Sequence, residues 1–223
     1  MALTRTTLAT GYLQKMVQQS PELEAHILTQ TELQKSIQQT LQQRLSHDNI
    51  WIFAYGSLIW NPILKYSERI TGKIYGWHRR FCLRMPVGRG TPEQPGLTLA
   101  LEKGGSCCGV AYRITKEHLD SELLLLWQRE MVVGSYIPRW VKVFADDKEL
   151  EAIAFTVNRK HPLYAPNLSL VQIAAVVSTA KGELGSCADY LLQTIEGLSG
   201  CNITDRNLVM VRSGLKMAPV KIS

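Results

Sequence analysis

The chain has 223 residues, of which 45% are hydrophobic and 20% are charged, and these values exclude a disordered or fibrous protein. Its length suits one main domain with an appendage rather than two independent domains. The formal net charge of +6 would suit an anionic partner, but charge alone does not choose between nucleic acid, a phosphorylated compound and a small carboxylate.

The sequence shows no pattern for export or for crossing a membrane. Residues 1–20 contain no apolar core of signal-peptide length, and no apolar run approaches the about 20 residues that span a bilayer. The five cysteines have scattered spacings that indicate neither a disulfide framework nor a metal site. We therefore expect a cytoplasmic protein.

Residues 1–49 are rich in Gln, Thr and Leu and predict a helical N-terminal extension. Helix-start signals occur at residues 20–22 and 29–32. Apolar side chains then recur every four residues and predict a helix that packs through one face. They are Leu33, Ile37, Leu41 and Leu45. A polar linker is expected at residues 46–49.

The main domain is expected at residues 50–223, where short β-rich runs replace the helical pattern. Strands are predicted over residues 50–55, 73–85, 97–101, 108–114, 136–145 and 150–157. A Gly/Pro-rich loop is predicted at 87–96 and a hairpin turn at 146–148. Helices are predicted from a Thr115 cap to Glu130, over 169–181 and over 187–198. This order is typical of an α+β fold and not of a βαβ alternation.

Several kinds of chemistry lack their motifs. Residues 104–109 fit no nucleotide-binding glycine motif, the histidines lack the spacing of a zinc site, and Ser57 does not lie in a serine-hydrolase elbow. The basic cluster at residues 78–80 lies in a predicted strand whose alternate side chains face opposite ways. We therefore expect no metal, no cofactor and no nucleic-acid partner.

The run at residues 51–62 predicts a buried strand that stops at Gly56 and continues as an irregular, aromatic-rich loop. Backbone N–H groups in such a turn can form a nest that binds a carboxylate or an oxyanion. Glycine-serine turns after strands are usually only structural, so this pattern alone leaves both interpretations open.

Glu130 is predicted on the apolar face of its helix, because Leu126 and Leu123 lie four and seven positions before it. Burial would raise its pKa above the usual value of about 4.3. A salt bridge to Arg129 or Arg139, or a helix that ends early and leaves Glu130 in solvent, explains the pattern equally well.

Five ordered motifs resemble those of the ChaC-type glutathione-specific γ-glutamylcyclotransferases. They lie at residues 55–58, 76–81, 89–96, 109–113 and 129–136, and the similarity spans about residues 51–198. The resemblance implies a γ-glutamylcyclotransferase fold, a small mixed β-barrel with surrounding helices and a pocket at the barrel mouth. It also implies a carbon–nitrogen lyase that cleaves glutathione into 5-oxoproline and Cys-Gly without a metal or a cofactor.

The resemblance also implies roles for particular residues. Glu130 matches the catalytic glutamate, which acts as general acid and base. Residues 55–58 match the loop that holds the γ-glutamyl group largely through backbone groups, and two tyrosines match pocket tyrosines. The implied substrate-binding residues are Tyr55, Gly56, Ser57, Leu58, Tyr136 and Tyr164. Ser135 stands where many relatives have glycine.

Two alternatives stay open. One is a cyclotransferase for other γ-glutamyl peptides or amines, which would use the same loop and glutamate with a different leaving-group pocket. The other is a non-catalytic regulator of cation transport. The glycine carboxylate of glutathione is a candidate partner for Arg80, Arg84 or Arg89, although each arginine is more simply explained as solvating a strand or loop. The sequence predicts no oligomeric state.

Overall fold

Five strands form a closed barrel, in the spatial order β1-β3-β2-β4-β5. The strands are β1 (Asn49–Ala54), β2 (Glu68–Met85), β3 (Gly96–Thr115), β4 (Tyr136–Ala145) and β5 (Lys148–Val157). Most neighbours are antiparallel, but β1 pairs in parallel with β5 and closes the barrel. The predicted small mixed β-barrel with surrounding helices is therefore confirmed in this computed structural model.

The structure describes residues 3–44, 49–146 and 148–215. Leu45, residues 46–48 of the predicted linker, residue 147 of the predicted hairpin turn and the tail from residue 216 lie outside the described residues. The boundary between an extension and a main domain at residue 49 stays a prediction.

The predicted strands at 97–101 and 108–114 are one strand, β3, so the predicted break between them is wrong. Gly104 and Gly105 have φ values of 108° and 66°, which favour glycine. Pairing with β2 nevertheless continues on both sides, from Trp77 opposite Lys103 to Tyr75 opposite Ser106, across a shift in register. The glycine segment is therefore an irregularity within β3, and pairing with β2 keeps the strand continuous.

The described part of residues 1–49 contains four helices, α1 (Arg5–Ala9), α2 (Tyr12–Gln18), α3 (Pro21–Glu24) and α4 (Gln30–Leu41). The predicted start at Thr29 is confirmed, since Thr29 and Glu32 form a capping box. The predicted apolar face of α4 buries Leu33 and Ile37. The same helix accepts a 2.8 Å hydrogen bond at the Thr40 carbonyl from the Trp140 indole.

Helix α5 (Ser57–Trp60) follows β1, and α6 (Leu119–Glu130) follows β3. Thr115 does not cap α6, so that prediction is wrong. Thr115 still pairs with Asn49 in the barrel ladder, its side chain makes no cap hydrogen bond, and a 3₁₀ turn (Lys116–His118) comes between them. The predicted end of α6 at Glu130 is confirmed.

The C-terminal part packs helices against the barrel. They are α7 (Leu170–Thr179), α8 (Cys187–Ser199) and α9 (Arg206–Leu215), with the short hairpin β6 (Lys181–Gly182) and β7 (Gly185–Ser186) between the first two. The helices predicted at 169–181 and 187–198 are confirmed, and α9 was not predicted. In the portion of the chain that the structure describes, no helix is both long and apolar enough to cross a bilayer.

Candidate active site

A cavity of about 180 Å³ lies at the end of the barrel where β1 stops and β4 begins. It is far larger than the roughly 10–15 Å³ that a single water needs, so it has room for part of a small molecule. Its walls come from the barrel, α5, α6, α8 and the N-terminal helices. The polar lining residues are Tyr55, Gly56, Ser57, Asn61, Arg84, Arg89, Thr98, Arg129, Glu130, Ser135, Tyr136 and Tyr190.

Six of the seven residues predicted for the site line this one cavity. They are Tyr55, Gly56, Ser57, Leu58, Glu130 and Tyr136. Tyr164 does not line it, and its hydroxyl donates a hydrogen bond to the Glu102 carboxylate instead. The roles of all seven stay predictions at this point, because a shared cavity does not by itself assign chemistry.

The segment after β1 is shaped to leave space beside the backbone. A Cβ atom placed on Gly56 would lie 3.0 Å from the hydroxyl oxygen of Tyr190, closer than side chains normally pack. The predicted irregular loop is wrong, since α5 starts directly at Ser57. The first N–H groups of a helix have no acceptor within the helix, so those of Ser57 and Leu58 can bind a ligand atom.

Glu130 is the last residue of α6, and its side chain, 15% exposed, faces the cavity. Burial raises its pKa above the usual range, and the nearby charge of Arg129 opposes this rise. The Arg129 Nε lies 3.1 Å from Glu130 Oε1. The explanations that the sequence leaves open for Glu130 include a salt bridge and a position in a pocket. The salt bridge is present, and the side chain also faces the cavity.

Arg129 connects the glutamate to the segment after β1. Its Nη2 donates to Ser57 Oγ at 2.9 Å and its Nη1 donates to the Asn61 carbonyl at 2.8 Å. Burial lowers the pKa of Arg129, but arginine starts so high that it stays charged. From the sequence, Arg129 is expected only as a partner for Glu130, because spacing along the chain does not show contacts with residues some 70 positions earlier.

Three tyrosines lie close to Glu130, of which Tyr55 and Tyr190 are buried and Tyr136 is partly buried. The Tyr55 hydroxyl donates to the Phe155 carbonyl at 2.6 Å and the Tyr136 hydroxyl to the Leu99 carbonyl at 2.9 Å. Burial raises the pKa values of both phenols well above their usual value, and the Glu130 charge adds to the rise. Both therefore remain neutral at physiological pH. Tyr190 was missed, and its only sequence signal is a polar tip on the apolar face of a helix.

The three arginines considered in the sequence analysis lie in different surroundings. Arg80 lies outside the cavity lining, and its Nη1 is 3.0 Å from Glu102 Oε2. The Arg89 guanidinium lies in the cavity, 4.8 Å from the centre of the Tyr190 ring. Arg84 lines the cavity with an exposed side chain that, within the described residues, makes no hydrogen bond or ion pair.

The N-terminal helices supply part of the cavity wall, which sequence reasoning missed. Their contribution is wholly apolar, and most of these side chains are less than a tenth exposed. The helical residues are Leu13, Met16, Val17 and Leu23, and Leu3, just before α1, joins them. Among the described residues, no group of three or more His, Cys, Asp or Glu side chains is placed to hold a metal ion.

The chain resembles known proteins over most of its length. The family model described as ChaC-like protein matches residues 50–217. An Escherichia coli glutathione-specific gamma-glutamylcyclotransferase is 44% identical over 174 residues, which cover 78% of this chain and 75% of the relative. The Danio rerio glutathione-specific gamma-glutamylcyclotransferase 1 is 32% identical over 174 residues, 75% of this chain and 89% of the relative.

The fold resembles a solved structure as well. The crystal structure of a gamma-glutamyl cyclotransferase specific to glutathione from yeast has a TM-score of 0.70 with this chain, at 21% identity. The match covers 77% of this chain and 97% of the yeast chain. At this level of identity the likeness shows the fold.

Proposed function

This chain belongs to the ChaC-like family, and on that premise we propose that it is a glutathione-specific γ-glutamylcyclotransferase. It converts glutathione into 5-oxoproline and Cys-Gly. The observation that supports this best is a buried Glu130 carboxylate, with a raised pKa, in the same cavity as the backbone of Gly56 and Ser57.

The reaction needs no nucleophile from the protein. The α-amine nitrogen of the γ-glutamyl group bonds to the γ-carbonyl carbon of the same group, and the amide bond to the cysteine nitrogen breaks. Two protons move in total from the attacking nitrogen to the leaving nitrogen. Holding the substrate folded for attack can lower the barrier by up to about 7–11 kcal/mol. Much of the catalysis therefore comes from a cavity that holds the substrate in its reactive conformation.

Glu130 transfers these protons. The α-amine has a pKa of about 8 and is mostly protonated at pH 7, so it must lose a proton before it attacks. A carboxylate whose pKa is raised toward that of the amine accepts the proton more readily. It then donates to the leaving nitrogen, so that Glu130 is a carboxylate again at the end of the cycle.

Two groups at the inner end of the cavity bind the negative charges of the γ-glutamyl part. The N–H groups of Ser57 and Leu58 stabilise the oxyanion of the tetrahedral intermediate. Arg89 binds the α-carboxylate, supported by its place against Tyr190, whose hydroxyl lies at Gly56. All five cysteines are free, which suits action in the reducing cytosol.

The test is to incubate the purified protein with glutathione, without added metal or nucleotide, and to follow 5-oxoproline and Cys-Gly by mass spectrometry. Glutathione acetylated on its α-amine is the control, since it cannot attack its own carbonyl and should yield no 5-oxoproline. Release of glutamate in place of 5-oxoproline would contradict the proposal. Turnover of other γ-glutamyl compounds but not of glutathione would favour a cyclotransferase with a different substrate. No turnover of any of these compounds would favour a non-catalytic regulator of cation transport.

Arg129 is expected to set the pH at which activity is lost in acid. Glu130 must be ionised to accept a proton, so kcat/KM falls as pH drops through its pKa. Arg129 lowers that pKa, so Arg129→Gln should move the acid limb to higher pH. Arg129→Lys keeps the charge and should leave the limb near its native position.

Both Arg129 variants lose the paired contacts with Ser57 and Asn61, so both should be slower than the native enzyme. The position of the limb, measured from kcat/KM at closely spaced pH values, is therefore the informative quantity. An unchanged limb in Arg129→Gln would show that the Arg129 charge does not act on the base.

A further inference from the structure

The cavity contains more positive charge than the chemistry at its inner end uses. Its lining has four side chains with a formal charge, Arg84, Arg89, Arg129 and Glu130. Arg129 and Glu130 form an ion pair and offset one another. Arg84 and Arg89 are left. Arg89 has the Asp189 carboxylate nearby and donates through Nη1 to the Ser186 carbonyl at 3.0 Å, whereas within the described residues the Arg84 side chain makes no hydrogen bond or ion pair.

Arg89 lies at the reactive end. Its guanidinium is 4.8 Å from the Tyr190 ring centre and 6.0 Å from that of Trp60. Trp60 is the last residue of α5, and the Tyr190 hydroxyl lies against Gly56. Arg89 is therefore next to the segment that holds the γ-glutamyl group in the proposed function.

Arg84, one residue before the end of β2, both lines the cavity and is exposed, so it lies where the cavity meets solvent. Its side chain is exposed, whereas Arg89 and Arg129 are largely covered. The lining residues that directly follow Arg84 are the apolar Met85, Pro86 and Val87. Because the Arg84 side chain has no hydrogen-bond or ion-pair partner among the described residues, it can offer its whole fork to a carboxylate.

We propose that Arg84 binds the terminal carboxylate of the leaving peptide and thereby selects a leaving group with a free C-terminal acid. This inference rests on the proposed function and deepens it. Glutathione carries two carboxylates, one on the γ-glutamyl α-carbon and one on glycine. Besides Arg129, the cavity lining has two arginines, Arg89 next to the segment after β1 and the exposed Arg84. Arg80 is excluded from this role because Glu102 already pairs with it outside the cavity.

The experiment compares glutathione with its glycine monoethyl ester, in which this carboxylate is blocked. The native enzyme should prefer the free acid by about 10-fold to 100-fold in kcat/KM, the effect expected of a hydrogen bond to a charged group. Arg84→Met should lose this preference through a higher KM for glutathione, with kcat little changed. Its rate with the ester should equal that of the native enzyme.

Arg206→Met is the matched control, since Arg206 is an exposed arginine at the start of α9 and does not line the cavity. It should keep the full preference. A free-acid preference that persists in Arg84→Met, or that is missing from the native enzyme, overturns this inference and leaves the proposed function intact. No 5-oxoproline from either substrate with the native enzyme overturns both.

Discussion

Glu130→Gln is expected to lower kcat for 5-oxoproline formation by about 10²–10⁴-fold, the usual contribution of general acid–base catalysis. Glutamine keeps the shape of the side chain but cannot accept the ammonium proton. In the proposed function the substrate is held by the backbone of residues 56–58 and by arginines, so KM should change little. Initial rates over a range of glutathione concentrations separate the two constants.

Glu117→Gln is the control for this variant, because Glu117 is an exposed glutamate in the 3₁₀ turn before α6. It should retain native activity. Equal kcat values for Glu130→Gln and the native enzyme would exclude Glu130 as the base.

A stability measurement gives an independent check on Glu130. Its pKa is raised in the folded protein, so ionisation of this group costs stability. The native protein should lose stability relative to Glu130→Gln as pH rises from the ordinary glutamate pKa of about 4.3 through the raised value. Thermal unfolding of both proteins across this window tests the sign.

Arg79→Met is expected to destabilise the fold by about 3–5 kcal/mol, as for other buried ion pairs broken on one side. The Arg79 side chain is 1% exposed, and its Nη1 lies 2.6 Å from Asp205 Oδ2. It also donates to the carbonyls of Tyr55 and Cys108. Methionine would leave Asp205 Oδ2 and two carbonyl oxygens without the Arg79 donor, while Asp205 Oδ1 would still accept from two backbone N–H groups.

This contact links the stability of the fold to the candidate site, because the Tyr55 carbonyl lies between the end of β1 and the segment that is proposed to bind the substrate. Urea unfolding measures the loss, and the remaining folded Arg79→Met should show a higher KM for glutathione. Adding Asp205→Asn should recover part of the stability, since no buried charge is then left alone. Arg206→Met, one position from Asp205, should change stability by no more than about 0.5 kcal/mol. Native stability of Arg79→Met would refute the role of this pair.

Features that depend on a few neighbouring residues were predictable. The capping box of Thr29 and Glu32 begins α4, and Ser169 with Gln172 begins α7 in the same way. Each involves hydrogen bonds within four residues, so the sequence carries the complete signal. The position of Glu130 on its helix follows likewise from the helical repeat.

Features that depend on pairing across the barrel were not predictable in detail. The glycines of β3 indicate a break when they are considered alone, yet the ladder with β2 keeps the strand continuous. Thr115 has the side chain of a helix cap, but its pairing with Asn49 retains it in the sheet. In both cases distant hydrogen bonds outweigh the local preference.

For the site, the sequence by itself determined the order of motifs, the glutamate on an apolar helical face and the glycine that ends a buried strand. Only the tertiary structure decided which charges meet. It brought Arg129 to Ser57 and placed the apolar N-terminal helices along the cavity. It also left Arg84 exposed in the cavity lining, with no ion-pair partner in the part of the chain that the structure describes. The physical reason is that ion pairing and burial depend on distance in space, and closing the barrel brings together residues that are far apart along the chain.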